Sequence, residues 1–232
     1  MNKKIISFSL WGSNPKYTVG AIKNAILAKD IYPEWKCRFY CANDVPNPIV
    51  FQLEVLDNTE VIYKNQPGDW TSMFWRFEPA AEQDIEVMIS RDTDSRINER
   101  ERAAVDEWLN SDFGFHIMRD HPWHGYPVLG GMWGAKRNTI PDIKDRMNTF
   151  EQTDQYGTDY SFFAQISESI KGNAFVHDEF FHNNSGLVSY QGCKPRPFPT
   201  RRIDKNFVGK PYNSDDTICL PEADNILCFR GT

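Results

Sequence analysis

The first 110 residues alternate between short apolar runs and longer amphipathic segments. The short runs are rich in β-branched and aromatic residues and end near Gly, Pro, Asn or Asp, which predicts strands at residues 4–10, 37–43, 60–64 and 85–91. The longer segments carry apolar residues at helical spacing, which predicts helices at residues 18–32, 49–58, 71–81 and 98–111. Strands that alternate with helices in this way predict an α/β fold with a mainly parallel sheet covered on both faces.

Two of the predicted helices carry capping signals. Thr18 stands at the N-cap position of the first helix, and Asn98, with a glutamate three residues later, is close to a capping box. Beyond residue 110 the pattern is less regular, and it predicts a strand at residues 113–119 and a helix at residues 158–170. The 232 residues suffice for one large domain, which we expect to end in an irregular C-terminal arm. That arm begins at about residue 186.

Composition and charge exclude several functional classes. With 40% hydrophobic and 25% charged residues, the chain is that of an ordinary globular protein. The net charge of −6 and the absence of a long basic run argue against a nucleic-acid partner. The apolar run near the N-terminus is too short for a signal peptide or a membrane span, so we predict a cytoplasmic protein without an integral membrane segment. Five scattered cysteines without a C-x-x-C pair suggest neither a disulfide framework nor a zinc site.

The fourth predicted strand runs directly into the charged stretch "RDTDSR". Asp92 and Asp94, two positions apart on a loop that leaves a strand, can both turn to one hard cation, and that cation can neutralise a diphosphate. The alternative is a solvated loop in which the two acids pair with Arg91 and Arg96. This loop and residues 11–17 are expected at the carboxyl edge of the sheet, where such sheets bind ligands.

Other candidate residues each have a structural alternative. Arg76, among aromatic residues on a predicted helix, is either a phosphate clamp or a helix-face arginine. Asp159 falls where a helix begins, so it is also an N-cap candidate. His177 and His182 are potential metal ligands, but their spacing does not put both on one helical face. No Walker loop, G-x-G-x-x-G or G-x-S-x-G is present.

Five motifs taken together resemble a known family. "FSLWGSNPKYTVGAIKNAILAKDIYPEWKCRFY", "MFWRFEPAAEQDIEVMISRDTDSRINERERAAVDEWLNSD", "FHIMRDHPWHGYPVLGGMWGAK", "YGTDYSFF" and "VHDEFFH" look like GT-A glycosyltransferases. The chain is similar to family 8-like enzymes and to glycosyltransferase domains of bacteria and large algal DNA viruses. The likeness covers nearly the whole chain to about residue 185, together with "NFVGKPY". It implies a Rossmann-like nucleotide-diphospho-sugar transferase fold.

The resemblance also implies roles for single residues. Tyr17 falls where family 8 enzymes stack a tyrosine on uracil, and the nucleotide pocket would be lined by Ser7, Leu10, Trp11 and Gly12. Asp92 and Asp94 match the metal-binding D-x-D, Thr93 between them would contact the donor, and Arg76 would reach toward it. Asp120 matches an aspartate that holds donor-sugar hydroxyls, and Asp159 one beside the anomeric carbon. The region of the family's N-x-G stretch corresponds in this sequence to Gly130, Gly131 and Lys136.

Two positions depart from the family pattern. Tyr160 stands where the family has glutamine after Asp159. The family's third metal ligand, a histidine in H-F-x-G, is matched in order by Asn206, whereas His177 is the better ligand chemically. Apart from the departure at Tyr160, the resemblance predicts a metal-dependent glycosyltransferase that uses Mn²⁺ or Mg²⁺. It would move a hexose from a UDP-linked sugar to a glycan or glycoprotein acceptor with retention. Two alternatives stay open, a non-catalytic nucleotide-sugar binder and a metal-dependent phosphohydrolase.

Overall fold

The computed structural model describes residues 3–180, 194–203 and 206–219. In this part of the chain one mixed sheet has the strand order β3-β2-β1-β4-β6-β5-β7-β8. The strands are β1 Lys3–Leu10, β2 Lys36–Ala42, β3 Thr59–Lys64, β4 Ile85–Ser90, β5 Phe115–Arg119, β6 Trp133–Lys136, β7 Ala174–Asp178 and β8 Pro195–Arg196. β6 is antiparallel to both its neighbours, and every other pair is parallel. The predicted α/β fold with a mainly parallel sheet is confirmed.

Helices connect the strands on both faces. The α-helices are α1 Pro15–Ile31, α2 Asn47–Glu54, α3 Glu99–Leu109, α4 Ile143–Thr149 and α5 Thr158–Ile166, and two 3₁₀-helices span Trp70–Ala81 and Ser167–Ile170. None of the described helices combines the length and the apolar character that a membrane crossing requires.

The capping prediction was right for α3 and wrong for α1. The Asn98 side chain accepts a hydrogen bond from the Glu101 backbone N–H at 2.9 Å, as the sequence predicted. In α1 the cap is Asn14, whose side chain accepts from the Lys16 N–H at 3.0 Å, four residues before Thr18. Pro15 follows directly at the first helical position, where its missing N–H costs nothing.

The segment predicted as a helix at residues 71–81 forms a 3₁₀-helix instead of an α-helix. Asp69 caps it: the Asp69 side chain accepts a hydrogen bond from the Thr71 N–H at 2.8 Å, and the Ser72 hydroxyl accepts one from the Asp69 N–H at 3.0 Å. Pro79 lies inside the helix and has no backbone N–H, which excludes a continuous α-helical hydrogen-bond ladder through the last turn.

Each face of the sheet buries its own core. Because successive strand residues point to opposite faces, Ile5 joins one cluster and Ile6 the other. The first cluster is dominated by rings from the 3₁₀-helix, β6 and α5, among them Phe77, Trp133 and Phe162. The second lies under α1, α2 and α3, and α1 contributes only small buried side chains to it, namely Ala21, Ala25 and Ala28. These small side chains let α1 lie close to the sheet.

Candidate functional site

A cavity of about 580 Å³ lies where the parallel strands β1 and β4 end and the antiparallel strand β6 begins. Ser90, the last residue of β4, is in register with Trp133, the first residue of β6. The loops that follow or precede these strand ends therefore meet at one edge of the sheet. Most of the predicted site residues line the cavity: Leu10, Trp11, Tyr17, Arg76, Asp92, Thr93, Asp94, Gly130, Gly131 and Asp159.

The loop that carries Asp92 and Asp94 is held by its backbone. The fully buried Asn24 side chain donates to the Thr93 carbonyl at 3.2 Å and to the Ser95 carbonyl at 2.9 Å. α1 touches the loop so closely that a Cβ atom on Gly20 would lie 2.1 Å from the Thr93 carbonyl oxygen. With the backbone fixed in this way, the two carboxylates are presented to the cavity and not used to build the loop.

The two acids pair with cations from other elements. Asp92 forms an ion pair with Arg76 of the 3₁₀-helix, and Asp94 Oδ2 lies 2.7 Å from Lys16 Nζ of α1. Arg76 Nη2 also lies 4.0 Å from Asp159 Oδ2, so Arg76 stands between two carboxylates.

Neither arginine of the "RDTDSR" loop pairs with these acids. Arg91 Nε donates to Glu101 at 2.7 Å, and Arg96 Nε donates to Asp216 at 3.0 Å. The alternative of a self-paired, solvated loop is therefore wrong.

Burial and mutual repulsion shape the titration of the cavity acids. Burial raises the pKa of Asp94 above its ordinary value, the charge of Asp92 raises it further, and Lys16 opposes both. Burial likewise raises the pKa of Asp159, with Arg76 opposing and Asp92 adding to the shift. Three carboxylates thus line the cavity, and the cations close to them are Arg76, which also lines it, and Lys16, which does not. An additional cation would be bound favourably there.

Gly130 and Gly131 bring backbone into contact with the acids. A Cβ atom on Gly130 would lie 2.0 Å from Asp159 Oδ2, and one on Gly131 would lie 1.9 Å from Asp92 Oδ2. The Gly130 carbonyl is fixed by the Ser90 hydroxyl, which donates to it at 2.6 Å. Any larger residue at either position would displace an acid, so the glycines keep the carboxylates in place.

Aromatic rings form the other side of the cavity. Tyr17 and Trp11 line it, and the Lys16 ammonium lies 5.1 Å from the Tyr17 ring centroid. Burial raises the pKa of the Tyr17 hydroxyl above its ordinary value. Gly68 packs on Trp11, since a Cβ there would lie 2.0 Å from the Trp11 Cβ. This half of the cavity offers flat apolar faces next to the charged half.

Several predicted residues do not line the cavity. Ser7 is fully buried in β1, and the Gly12 N–H donates to Asp44 at 2.9 Å. Asp120 is fully buried, with its two oxygens 2.8 and 2.9 Å from Arg100 nitrogens, and it also accepts from the Val208 N–H at 2.9 Å. Asp120 therefore anchors a C-terminal segment to α3 in this structure.

The structure also separates His177 from the acid pair. His177 is fully buried between His116 Nε2, at 2.9 Å from its Nδ1, and Glu107, at 3.1 Å from its Nε2. Burial lowers its pKa to about 4. Asn206, the other candidate third ligand, accepts from the Tyr212 hydroxyl at 3.0 Å and does not line the cavity. His182 lies outside the described residues.

Within the described ranges no three His, Cys, Asp or Glu residues are grouped so that they could hold a metal ion. Asp92 and Asp94 are two carboxylate candidates for a divalent cation in this cavity, and such a cation would complete its shell with other oxygen ligands. Lys136, matched to the family's N-x-G stretch, instead donates from Nζ to the Ser111 carbonyl at 2.5 Å.

Sequence reasoning missed part of the lining. Sequence reasoning also assigns no role to Lys16, which does not line the cavity but pairs with Asp94, although a lysine beside Tyr17 on the predicted strand-to-helix loop was a usable signal. Phe207, Gly209 and Pro211 reach the cavity from more than 110 residues beyond Asp94. The Tyr212 N–H holds this segment by donating to the Asp94 carbonyl at 2.8 Å, a contact that no local pattern predicts.

The sequence matches no protein-family model and no curated protein. Among solved structures, it is similar to a glycosyltransferase involved in the glycosylation of the major capsid of PBCV-1, at 15% identity and a TM-score of 0.50 over 76% of this chain and 81% of that one. A 4-diphosphocytidyl-2C-methyl-D-erythritol synthase from Anaerococcus prevotii matches at 12% and 0.54, over 78% and 89%. The mannosyltransferase PcManGT from Pyrobaculum calidifontis, solved with GDP-Man and Mn²⁺, matches at 11% and 0.52, over 86% and 58%. At these identities the likeness shows the fold, and the chain has the Rossmann-like GT-A fold that its sequence predicted.

Proposed function

We propose that this protein is a metal-dependent glycosyltransferase that moves a hexose from a UDP-linked sugar to a glycan or glycoprotein acceptor. The observation that carries the proposal is the pair Asp92 and Asp94, presented by a fixed loop at the strand ends to a cavity that also contains Asp159. The same fold occurs in a mannosyltransferase solved with GDP-Man and Mn²⁺.

The two acids fit a hard divalent cation. Carboxylate oxygens are the ligands that Mn²⁺ and Mg²⁺ prefer, and the three carboxylates that line the cavity outnumber the two cations close to them, Arg76 and Lys16. Asp92 and Asp94 would hold the ion, which would neutralise the diphosphate of the donor. Thr93 between them has its carbonyl fixed by Asn24, so the spacing of the two side chains is set before any ligand arrives.

The nucleotide would lie on the aromatic side of the cavity. Tyr17 and Trp11 would provide the stacking faces, and Leu10, the last residue of β1, also lines the cavity. A ring that stacks on a base recognises its flat face and only weakly its identity. Stacking alone does not select uracil, so the choice of uridine rests on the similarity of Tyr17 to the tyrosine that family 8 enzymes stack on uracil.

Charge that develops on the leaving diphosphate would be balanced by Arg76. Its guanidinium already lies between Asp92 and Asp159, so it needs little reorganisation to face a ligand bound there. In the transfer, the bond from the anomeric carbon to the diphosphate oxygen breaks and the acceptor hydroxyl oxygen forms the new bond. The hydroxyl proton leaves with the diphosphate.

Asp159 would face the sugar. Its raised pKa and its burial make it a carboxylate that gains from a nearby positive charge such as an oxocarbenium-like sugar. The proposal assigns no role to Asp120, because it is fully buried, is paired with Arg100 and does not line the cavity. Retention at the anomeric carbon belongs to the proposal, and NMR of the product tests it.

The proposed location is the cytoplasm. Cys37, Cys41 and Cys219 are free thiols, and the first two are buried in the sheet. Burial raises the pKa of the Cys37 thiol far above its ordinary value, so it is inert and structural. Free cysteines are usual in a reducing compartment, and fractionation of cells that express the protein tests this location.

Calorimetric titration of UDP, GDP, CMP, CTP and common sugar nucleotides, with Mn²⁺ and with chelator, tests the function. We expect one nucleoside diphosphate to bind with Mn²⁺ only, and Asp94→Asn to weaken that binding by at least about 100-fold, since the loss of a ligand costs more than the 10–100-fold loss of its supporting group. Asp57→Asn is the matched control, because Asp57 makes the same kind of lysine pair on the surface. Absence of any metal-dependent nucleotide binding would overturn the proposal.

Turnover separates the remaining alternatives. A transferase shows a rate that rises strongly with one acceptor, whereas a phosphohydrolase cleaves the diphosphate at a rate independent of any acceptor. A non-catalytic binder shows metal-dependent binding without turnover. CTP belongs in the panel because a solved structure with this fold is a diphosphocytidyl compound synthase, and pyrophosphate release from CTP would indicate nucleotidyl transfer instead.

A further inference from the structure

A row of aromatic side chains continues from the cavity onto the surface. Trp70 meets Trp11 edge-on at 6.3 Å and Tyr156 edge-on at 5.4 Å between ring centroids. Tyr156 in turn lies 6.5 Å from Tyr160, which stacks on Tyr126 at 3.8 Å with an interplanar angle of 13°. We call Trp70, Tyr156, Tyr160 and Tyr126 the aromatic rim.

The rim is exposed to an extent that is unusual for neighbouring rings. Tyr156 is 74% exposed, Tyr126 50% and Trp70 39%. Single exposed aromatic residues are common on protein surfaces, but contiguous ones beside a cavity mark a binding surface. Phe51 and Tyr63 are also exposed, but they lie on α2 and on the edge strand β3, outside the row of ring contacts that defines the rim.

The backbone that carries the rim is held in a defined conformation. Gly157 adopts the left-handed conformation, with φ of 86°, and a Cβ there would lie 3.0 Å from the Tyr160 ring. The Trp70 N–H donates to Asp154 at 3.0 Å, which joins the start of the 3₁₀-helix to the segment that carries Tyr156. Rings held in this way lose little conformational entropy when a ligand stacks on them.

The position of the rim assigns it to the acceptor. Tyr160 follows Asp159 directly and lines the cavity together with Tyr156, and Tyr126 stacks on Tyr160. The donor sugar would lie at Asp159, so a molecule on Tyr156, Tyr160 and Tyr126 would approach the anomeric carbon from outside. The residue that departs from the family's glutamine, Tyr160, thereby has a defined place in the rim.

Charge and shape select the class of acceptor. The reacting end of an acceptor on the rim would face the buried carboxylate of Asp159, which disfavours an anionic group at that end. A purely apolar ligand would leave Asp159 without hydrogen-bond donors. A neutral saccharide satisfies both, because its C–H faces stack on rings while its hydroxyls donate to carboxylates.

We propose that the aromatic rim binds a neutral oligosaccharide acceptor of more than one sugar unit, with its reacting end at Asp159. This inference rests on the proposed transferase function for its role, but the binding itself can be measured without any turnover. Several stacked rings suit a chain of several sugar units better than a single monosaccharide.

Tryptophan fluorescence during titration with linear tetrasaccharides of glucose, mannose, galactose and N-acetylglucosamine tests the inference. We expect at least one of them to bind, and Tyr156→Ala to weaken it about tenfold, the scale of one lost aromatic contact. Tyr156→Phe keeps the ring and should keep the binding. Tyr63→Ala removes an exposed tyrosine on the edge strand β3 and should change nothing, and thermal unfolding confirms that each variant is folded.

Each result is decisive. No binding of any neutral tetrasaccharide to the wild-type chain overturns the inference, as does equal weakening by Tyr63→Ala or equal binding of tetragalacturonic acid. A parallel titration of UDP with Mn²⁺ separates this from the function. UDP binding without oligosaccharide binding overturns the rim alone, whereas oligosaccharide binding without any nucleotide binding supports the rim as a carbohydrate surface and overturns the transferase.

Discussion

Arg91 and Asp92 are neighbours in the chain, but their ion pairs belong to two different regions. Arg91 pairs with Glu101 under α3, and each of these side chains is only 2% exposed. Asp92 pairs with Arg76 at the cavity, where the Asp92 side chain is 46% exposed. Two consecutive residues after β4 therefore belong to different kinds of ion pair. We call the buried pair of Arg91 and Glu101 sealed, and the pair of Asp92 and Arg76 at the cavity open.

The difference lies in what can replace each partner. A sealed pair excludes water, so the loss of either member leaves a buried charge without compensation. In the open pair water reaches the Asp92 carboxylate although Arg76 is buried, so the carboxylate can exchange its partner for a ligand at a lower cost than a sealed pair. We infer that the sealed pairs fix the strand ends, while the open pairs reserve the carboxylates for a cation and the cations for a diphosphate.

Breaking the sealed pair should have the largest effect. Arg91→Met would leave the Glu101 carboxylate buried, and we expect it to lower the free energy of unfolding by about 3–5 kcal/mol, as for other broken buried pairs. Urea unfolding measures this. The Tyr32 hydroxyl, 3.3 Å from Glu101, softens the loss without neutralising the charge.

Arg146→Met is the matched control for that substitution. It breaks an exposed pair with Asp142 on α4, at 2.8 Å, and should cost less than about 1 kcal/mol. Equal losses in the two variants would show that the distinction between sealed and open pairs has no energetic meaning here.

Breaking an open pair should instead affect binding and spare stability. Asp94→Asn removes a carboxylate whose ionised form is disfavoured by burial, so we expect the free energy of unfolding to stay within about 1 kcal/mol of wild type. The same variant should lose at least about 100-fold in metal-dependent nucleotide affinity. A loss of stability as large as that of Arg91→Met would place Asp94 among the structural acids.

Lys16 sharpens the comparison, because its predicted effects have opposite signs. In the ligand-free protein its ammonium occupies Asp94 at 2.7 Å and so competes with a metal ion. Lys16→Gln should therefore tighten Mn²⁺ binding to the nucleotide-free protein by about tenfold, the scale of a partly buried charge pair. Once a metal holds Asp94, the lysine is available to the diphosphate, so UDP affinity at saturating Mn²⁺ should fall severalfold.

Lys23→Gln provides the control, because Lys23 pairs with Asp216 outside the cavity. It should leave both affinities unchanged. If Lys16→Gln moved metal and nucleotide affinity in the same direction, Lys16 would be a general electrostatic contributor and not a residue that changes partners. Calorimetry with Mn²⁺ alone and then with UDP gives both values.

Local patterns predicted the half of the sheet that is built from long parallel strands. β1, β2 and β4 are buried apolar runs with clear stops, and each was found. β6 and β7 were missed. β6 is four residues long and is defined by its pairing with β4 and β5, while the polar residues of β7 have their partners some 60 residues away, as His177 with His116 shows. Non-local pairing is what a single sequence does not display.

The site residues also differ in whether a local sequence pattern could predict their place. Asp92 and Asp94 were found because their order at a strand end is itself the signal. Asp120 also follows a predicted strand, so its sequence context resembles that of Asp92. In the structure, however, Arg100 of α3 donates to both Asp120 oxygens, and Asp120 does not line the cavity. Which acid stays open depends on the packing of α3, and that is a tertiary property.

The smallest expected effect comes from the sealed region and its pH dependence. His177 is buried beside His116 and Glu107, and burial lowers its pKa to about 4 from an ordinary 6.5. Below pH 6.5 the unfolded chain takes up a proton that the folded protein refuses, so stability present above pH 6.5 is lost as the pH falls toward 4. Between pH 7.5 and 5.5 we expect His177 alone to contribute a loss of about 1 kcal/mol in the free energy of unfolding.

Urea unfolding of wild type and of His177→Gln at the two pH values isolates this contribution. His177→Gln removes the titrating group, so its stability should depend less on pH than that of wild type by about 1 kcal/mol over the same range. The burial of His116 lowers its pKa as well, so part of the pH dependence should persist in the variant. An identical pH dependence in both proteins would mean that His177 is protonated in the folded state through Glu107, and that this region is as open to exchange as the cavity.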